Sequence, residues 1–325
     1  TLGDVLTEAS QTAQSQGLKT VTATQIAETL AARRYRLGHL RDLYWHDLQR
    51  GTQLIETRGV RVGQVNALTV IHYADSEFGL PARLTATVSQ GNGDILDIER
   101  SVELGGSLHA KGMLIMSSFL RAHFGRLRAL HFSAALAFEQ SYGEIDGDSA
   151  TVAELCALIS AICQLPLNQS WAITGSMNQL GQVQPIGGIN AKIEGFFDAC
   201  CLQGLTGEQG VILPVQNVQH LMQRGDVIQA VAQGKFQIHA IRSIDEALEV
   251  LMGQPAGVMD AKGRYPKGTI YHAVLAQLQR WQDSEEDEEP KAKKSRKPTK
   301  KAKAKSTDKS TDKSTDKSEQ ESDKG

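Results

Sequence analysis

The sequence predicts a domain of mixed helices and strands, arranged as α+β or α/β layers, with a helical segment before it and a disordered charged segment after it. Alternating helix-like and strand-like patterns fill residues 52–253. Apolar residues at helical spacing, among many arginines, precede this region. The last segment, residues 283–325, combines an acidic run, a basic run and an STDK repeat, which cannot bury enough apolar surface to fold.

Residues 1–51 are the first predicted unit. Residues 21–50 have the apolar spacing of a helix, and the stretch TATQIAETLAARRYRLGHLRDLYWHDLQRG ends with Gly51, a common residue after the end of a helix. Next, GVRVGQVNALTVIHY and PARLTATVSQ are rich in β-branched residues and predict strands, with a turn at GNGD. A helix from about His109 to His123 and a strand at ALHFSAAL complete this half of the domain.

Helices and strands alternate after residue 149. We expect a helix over about 149–163, which stops before Pro166, and strands at SWAITG, GVILP and FQIHAI. Further helices are predicted at NAKIEGFFDACCLQ, NVQHLMQ and SIDEALEVLMG, the last with a capping box of Ser243 and Glu246. Residues 254–282 are interpreted as a partly helical extension.

Composition excludes several classes of protein. The chain is 40% hydrophobic, and we expect neither a membrane span nor a signal peptide but a cytoplasmic protein. The start TLGDVLTEAS resembles the middle of a protein, so we expect a fragment or a processed chain. Four cysteines without metal-ligand spacing predict buried, reduced thiols. No phosphate-binding G-x-x-x-x-G-K-[ST] motif and no HExxH motif occurs, so we expect no cofactor and no metal in this chain.

Charge argues against a nucleic-acid-binding domain. The chain has a formal charge of −2, and residues 283–325 hold 13 basic and 12 acidic residues, which leaves a slightly acidic remainder. Only the basic part of the charged segment offers a contact for nucleic acid or an acidic partner.

One junction concentrates polar groups. In GEIDGDSATVAELCALISAI, residues 143–162, Asp148 or Ser149 stands where the N-cap of an apolar helix is expected. Ser149 could simply cap that helix. Alternatively it is a nucleophile whose oxyanion is held by the free N–H groups at the helix start.

A serine nucleophile needs a base, and QPIGGINAKIEGFF supplies a candidate. Gly187 and Gly188 bend the chain, Asn190 can cap, and Lys192 falls in the first turn of the next helix. The positive end of the helix dipole and burial would both lower the pKa of this lysine, as a general base requires. The alternative is an ordinary surface lysine.

Taken together, GEIDGDSATVAEL and AITGSMNQLGQVQPIGGINAKIEG resemble the proteolytic domain of the Lon family of ATP-dependent proteases (peptidase family S16). The match includes Gly-Asp-Ser-Ala, the Thr-Gly strand end, the Pro-Ile-Gly-Gly turn and a lysine 43 residues after the serine. Flanking stretches extend the resemblance to residues 52–253. Gly-Asp-Ser is closer to the LonB-like, Lon-related branch than to the bacterial LonA form, which has Gly-Pro-Ser.

The resemblance implies a Lon-type α+β fold, of the ribosomal protein S5 domain 2 kind, and a Ser–Lys dyad of Ser149 and Lys192. Thr174 matches a family threonine that orients the lysine amine. Asp146 and Asp148 match acidic positions beside the serine, where a carboxylate close to the lysine would hold it protonated and switch the site off.

The family also implies partners that this sequence does not contain. Residues 1–51 resemble the end of an AAA+ module or a connector to one, and ATP with Mg²⁺ would act only through such a module. Substrates would be unfolded or tagged proteins, and the assembly a homo-hexameric ring. A catalytically idle Lon-like domain used in assembly or binding is the alternative, which the presence of both serine and lysine disfavours.

Overall fold

The computed structural model describes residues 1–73 and 76–293, with side chains in residues 1–73 and 77–284. Contacts between residues divide the chain at Ser284, and the sheet and its hydrophobic cores lie in the unit Thr1–Ser284. The strands are β1 (Val60–Arg61), β2 (Gln64–Tyr73), β3 (Ser76–Gln90), β4 (Ile95–Asp97), β5 (Phe132–Phe138), β6 (Leu167–Asn168), β7 (Trp171–Ile173), β8 (Ser176–Met177), β9 (Val183–Gln184), β10 (Gly210–Pro214) and β11 (Gln237–Ile241).

Helices flank these strands along the chain. The α-helices are α1 (Leu2–Ser15), α2 (Ala23–Leu37), α3 (His39–Arg50), α4 (Ile98–Ser101), α5 (Ser107–His123), α6 (Thr151–Cys163), α7 (Ile189–Gln203), α8 (Gly225–Ala232), α9 (Ile244–Met252) and α10 (Ile270–Lys293), and a 3₁₀ helix spans Val215–His220. Among the helices of the described residues, none has the length and hydropathy needed to cross a membrane.

Seven strands form the central sheet in the order β11, β10, β7, β2, β3, β5, β4. The first four are mutually parallel, whereas β3 is antiparallel to both β2 and β5. Mixed helices and strands were predicted, and this sheet confirms that part of the fold class. Two-stranded pairs β1–β6 and β8–β9 lie outside it.

Both faces of the sheet are covered. Alternation along β10 directs Ile212 into one hydrophobic core and Val211 and Leu213 into the other. The first core contains apolar side chains of α5, α6, α9 and α10, and the second those of α7 and α8. Residues 151–162 of α6 are all buried, as expected for a helix that is apolar on most faces. Helices α6 and α7 therefore lie on opposite faces of the sheet.

The structure departs from the sequence predictions at several elements. NVQHLMQ was predicted as a helix, and its first four residues form the end of the 3₁₀ helix, whereas α8 was not predicted. Ser243 caps α9 as expected, yet the Glu246 carboxylate accepts a hydrogen bond from the backbone of Arg242, so the capping box is incomplete.

The structure places a helix across the predicted C-terminal boundary. Helix α10 continues to Lys293, through the acidic run that was assigned to the disordered segment from residue 283. Glutamate and lysine are good helix formers, so a charged composition does not itself end a helix. The remainder of the predicted tail lies outside the described residues.

The cysteine prediction held only in part. All four cysteines are free, and Cys156 and Cys200 are buried, but Cys163 is half-buried and Cys201 is exposed.

Candidate active site

Ser149 stands just before α6 and does not cap it. The N-cap position is Ala150, without a side-chain cap bond, and Thr151 donates hydrogen bonds from its N–H (3.2 Å) and its hydroxyl (2.7 Å) to the carbonyl of Asp148. The carbonyl of Ser149 accepts hydrogen bonds from Gly175 N–H (2.8 Å) and from Thr174 Oγ1 (3.0 Å). The serine backbone is thus fixed to the carboxyl end of β7, which leaves Oγ free for another partner.

Lys192 lies in the first turn of α7, as predicted, and is buried (3% exposed). Gly188 is the N-cap with φ of 66°, a left-handed conformation that favours glycine, and its carbonyl accepts the bond from Lys192 N–H (3.0 Å). Asn190 was expected to cap this helix. Its side chain instead donates to the His220 carbonyl (3.0 Å) and accepts from Met222 N–H (2.8 Å).

A pair of glycines fixes the position of α7 above the sheet. A Cβ on Gly79 of β3 would overlap the Ala191 carbonyl and the Cα of Lys192, and a Cβ on Gly195 would overlap the Gly79 carbonyl. Helix and strand therefore meet backbone to backbone, a contact that only glycine permits at both positions. This close approach places Lys192 beside the end of β7.

Ser149 and Lys192 meet there. Lys192 Nζ lies 2.8 Å from Ser149 Oγ and 3.0 Å from Thr174 Oγ1. Burial lowers the pKa of Lys192 from its ordinary 10.5 to about 8, and the negative charge of Asp148 opposes that shift without reversing it. The amine thus has hydroxyl partners rather than a salt bridge, so its neutral form is accessible near neutral pH.

Thr174 bridges the two residues. Its hydroxyl is within hydrogen-bond distance of both Lys192 Nζ and the Ser149 carbonyl, and Thr174 itself is fully buried. Because a hydroxyl has one proton to donate, donation to the carbonyl leaves its oxygen lone pairs facing the amine.

The two aspartates have different positions. Asp146 accepts a hydrogen bond from Leu108 N–H (3.0 Å) and so serves the start of α5. Asp148 accepts one from Ser176 Oγ (2.7 Å). Neither carboxylate forms a salt bridge with Lys192 in the part of the chain that the structure describes, although the charge of Asp148 is close enough to affect the pKa of the lysine.

Ser149 opens onto a groove of about 980 Å³. Its walls come from β2, the start of β3, the loop of residues 138–150 and the turn at Pro185–Gly188. Within the described residues, the backbone N–H groups of Ser149 and Ala150 donate no hydrogen bond. They lie at the N-terminal end of α6, where the helix dipole favours negative charge.

A second polar cluster lies behind Ser149 and was not predicted. Glu154 of α6 is buried (1% exposed), and its carboxylate lies 3.4 Å from His109 Nδ1, while His109 Nε2 lies 3.2 Å from Asp97 Oδ2. Burial raises the pKa of Glu154 to about 7. The only sequence signal was a glutamate inside an otherwise apolar helix.

Comparison with known proteins agrees with this geometry. The family model described as the Lon protease (S16) C-terminal proteolytic domain matches residues 138–254, which include Ser149, Thr174 and Lys192. The chain contains a proteolytic domain of the Lon family. The residues that precede it, β1 to β4 among them, lie outside the matched range.

Two bacterial proteins and one archaeal protein illustrate its relatives. The chain is 47% identical to a Lon protease homolog of Escherichia coli (strain K12) over 247 residues, 75% of this chain and 42% of that protein. It is 40% identical to a Lon protease homolog of Haemophilus influenzae over 293 residues, 90% of this chain and 48% of the other. It is 29% identical to an archaeal Lon protease of Pyrococcus abyssi over 253 residues, 77% of this chain and 23% of that protein. The chain thus spans less than half the length of these relatives.

Proposed function

We propose that this Lon domain hydrolyses peptide bonds with Ser149 as nucleophile and Lys192 as general base. The observation that carries the proposal is the 2.8 Å separation of Lys192 Nζ and Ser149 Oγ, with the lysine buried and its pKa lowered to about 8. A nucleophile and a base within hydrogen-bond reach, and a third group orienting the base, are the common signature of covalent catalysis.

The reaction begins with neutral Lys192. The amine accepts the Ser149 hydroxyl proton while Oγ attacks the peptide carbonyl, and the resulting ammonium then donates a proton to the leaving amine. Water attacks the acyl-serine in the second half of the cycle, again with Lys192 as base. Thr174 orients the amine throughout, since its hydroxyl lies 3.0 Å from Nζ.

The tetrahedral intermediate carries an oxyanion that needs donors. The N–H groups of Ser149 and Ala150 are unpaired within the described chain and point from the start of α6, so they are our candidates for that role. Asp148 has an electrostatic role in this scheme. Its charge, held by the bond to Ser176, keeps the pKa of Lys192 from falling further.

Asp146 has a structural role. It binds the backbone at the start of α5, and a Cβ on Gly106 would overlap its carboxylate, so it holds the loop of residues 138–150 against that helix. The switch-off of the site by a carboxylate close to the lysine remains a prediction for both aspartates.

For the longer protein, we propose an ATP-dependent endopeptidase acting on unfolded or tagged proteins in a hexameric ring. The proposal rests on the family resemblance, and ATP and Mg²⁺ would bind an AAA+ module outside this chain. A cytoplasmic location and an S5-like classification of the fold also remain predictions. An idle domain is disfavoured, because a buried lysine without a salt bridge destabilises a fold that makes no use of it.

Turnover of a fluorogenic peptide by the purified chain tests the proposal, because a short peptide needs no unfolding before cleavage. Ser149→Ala should reduce turnover by at least about 10³-fold and leave the circular dichroism spectrum unchanged. Ser89→Ala, at an exposed position on β3, is the matched control and should retain full activity. Equal turnover by Ser149→Ala and the unmodified chain would exclude Ser149 as nucleophile.

A further inference from the structure

Four ionisable side chains from four elements meet in the interior behind the Ser149 loop. Asp97 ends β4, Glu99 lies in α4, His109 in α5 and Glu154 in α6, and their exposed fractions are 8%, 5%, 3% and 1%. They carry three potential negative charges and at most one positive charge. Carboxylates almost never occupy such positions unless they are paired or bind a cation.

Hydrogen bonds do not satisfy this cluster. Asp97 Oδ2, His109 Nε2 and both carboxylate oxygens of Glu154 have no hydrogen-bond partner, although each is buried. The 3.2 Å contact between Asp97 Oδ2 and His109 Nε2 lacks the angle of a hydrogen bond. Buried polar atoms that face one another without hydrogen-bond partners indicate that a bound group or ion belongs between them.

The same atoms are spaced for a metal ion. One ligand atom from each of Asp97, Glu99 and His109 lies within 4.8 Å of the other two. Ligands at about 2.0–2.2 Å from one ion are at most about 4 Å apart, so side-chain shifts of less than about 1 Å would complete the site. Glu99 can take part without losing its structural bond, because one of its oxygens accepts from Phe138 N–H (2.7 Å) and the other remains available.

Glu154 lies beside the other ring nitrogen of His109. Its Oε1 lies 3.4 Å from His109 Nδ1, on the opposite side of the imidazole from Asp97. A ligating histidine normally donates its second ring N–H to a carboxylate, which fixes the tautomer and the ring plane. Nε2, on the other side of the ring, lies 3.2 Å from Asp97 Oδ2 and remains available to a metal ion.

We propose that Asp97, Glu99 and His109 bind one first-row divalent transition-metal ion, of the Zn²⁺ type, with Glu154 as the residue that positions His109. One imidazole with two carboxylates suits Zn²⁺ and its neighbours, whereas Mg²⁺ and Ca²⁺ prefer oxygen ligands alone. The ion would connect β4, α4 and α5 to the helix that follows Ser149. This proposal does not depend on the peptidase activity.

Metal content of the full-length chain tests the site. Tag-free protein is stripped with a chelator, equilibrated with Zn²⁺ or with Mg²⁺, desalted and analysed by elemental mass spectrometry and thermal denaturation. We expect one Zn²⁺ per chain, a higher melting temperature with Zn²⁺, and no retained Mg²⁺. Retention of Mg²⁺ instead of Zn²⁺, or no retained metal, would overturn the assignment.

Substitutions in the cluster test which side chains bind the metal ion. Glu99→Gln keeps an acceptor for Phe138 N–H but should abolish Zn²⁺ retention, as should His109→Asn, while Glu154→Gln should weaken Zn²⁺ affinity about 10- to 100-fold. Glu144→Gln, which changes an exposed glutamate, should retain one Zn²⁺ per chain. Should His109→Asn fail to fold by circular dichroism, Glu99→Gln still decides. A Zn²⁺ content unchanged by Glu99→Gln would show that the retained ion is not bound by Glu99 and would overturn the assignment.

Discussion

The lowered pKa of Lys192 predicts how activity depends on pH. If the neutral amine is the base, kcat/KM for a peptide should rise about tenfold per pH unit below pH 8 and level off above it. At pH 7 a pKa of about 8 leaves about one tenth of the amine neutral. An unshifted lysine would be neutral in only about one molecule in 3,000, so burial increases the active fraction by about 300-fold.

The assay is the hydrolysis of an uncharged fluorogenic peptide between pH 6 and 10, in buffers of constant ionic strength. Lys192→Arg should be inactive at every pH, because a guanidinium does not deprotonate in this range. The control Lys235→Arg, at an exposed position, should reproduce the unmodified profile. A profile that is flat, or that rises only near pH 10, would refute the view that the buried Lys192 amine is the base.

Three further changes test the surroundings of the dyad. Lys192→Met should raise the free energy of unfolding by up to about 3 kcal/mol below pH 8, because the folded protein holds a lysine whose pKa is lowered. In urea titrations this gain in stability should shrink between pH 8 and 10.5 and vanish above pH 10.5. A gain that stays constant with pH would contradict the lowered pKa of Lys192. Gly79→Ala should destabilise the fold by about 1–3 kcal/mol and reduce peptidase turnover at least tenfold, since the new Cβ meets the Ala191 carbonyl. The control Gly225→Ala, whose Cβ would meet nothing within 4 Å, should change neither stability nor turnover. Thr174→Val keeps the shape but removes the hydroxyl that contacts Lys192 Nζ, and kcat should fall about 10- to 100-fold with little change in KM; an unchanged kcat would remove Thr174 from the mechanism.

The sequence was sufficient to predict the residues that meet but not the way they are held. Ser149 and Lys192 were candidates because glycines and a helix start framed each of them, and the resemblance to the Lon family then selected them as a pair. Their separation of 2.8 Å depends on β7, which places Thr174 between two helices on opposite faces of the sheet. No local pattern specifies that arrangement.

Caps were the least predictable local feature. Sequence favoured Ser149 and Asn190 as capping residues, since serine and asparagine are common caps. In the structure both side chains have tertiary partners, and Ala150 and Gly188 occupy the N-cap positions without side-chain bonds. A side chain that gains a buried long-range partner contributes more there than at a cap, so tertiary contacts override the local preference.

The buried cluster was missed for a related reason. Asp97 and Glu99 are two apart, but His109 and Glu154 come from separate helices, so no spacing rule relates all four. A charged residue inside an apolar helix is a better signal than a motif, because burial of Glu154 is unfavourable without a compensating partner. Of the four residues, Glu154 is therefore the one whose sequence context predicts a buried polar cluster.

The geometry of the dyad depends on residues that carry no functional group. Lys192 reaches Ser149 because α7 lies directly on β3, and this contact requires the absence of side chains at Gly79 and Gly195. A lysine on a helix one side-chain layer further from the sheet would be more solvated, and its pKa would return toward 10.5. The glycine pair therefore sets both the distance to the serine and the dry surroundings that lower the pKa of the Lys192 amine. The close approach of α7 to β3 is therefore what allows Lys192 to act as the base.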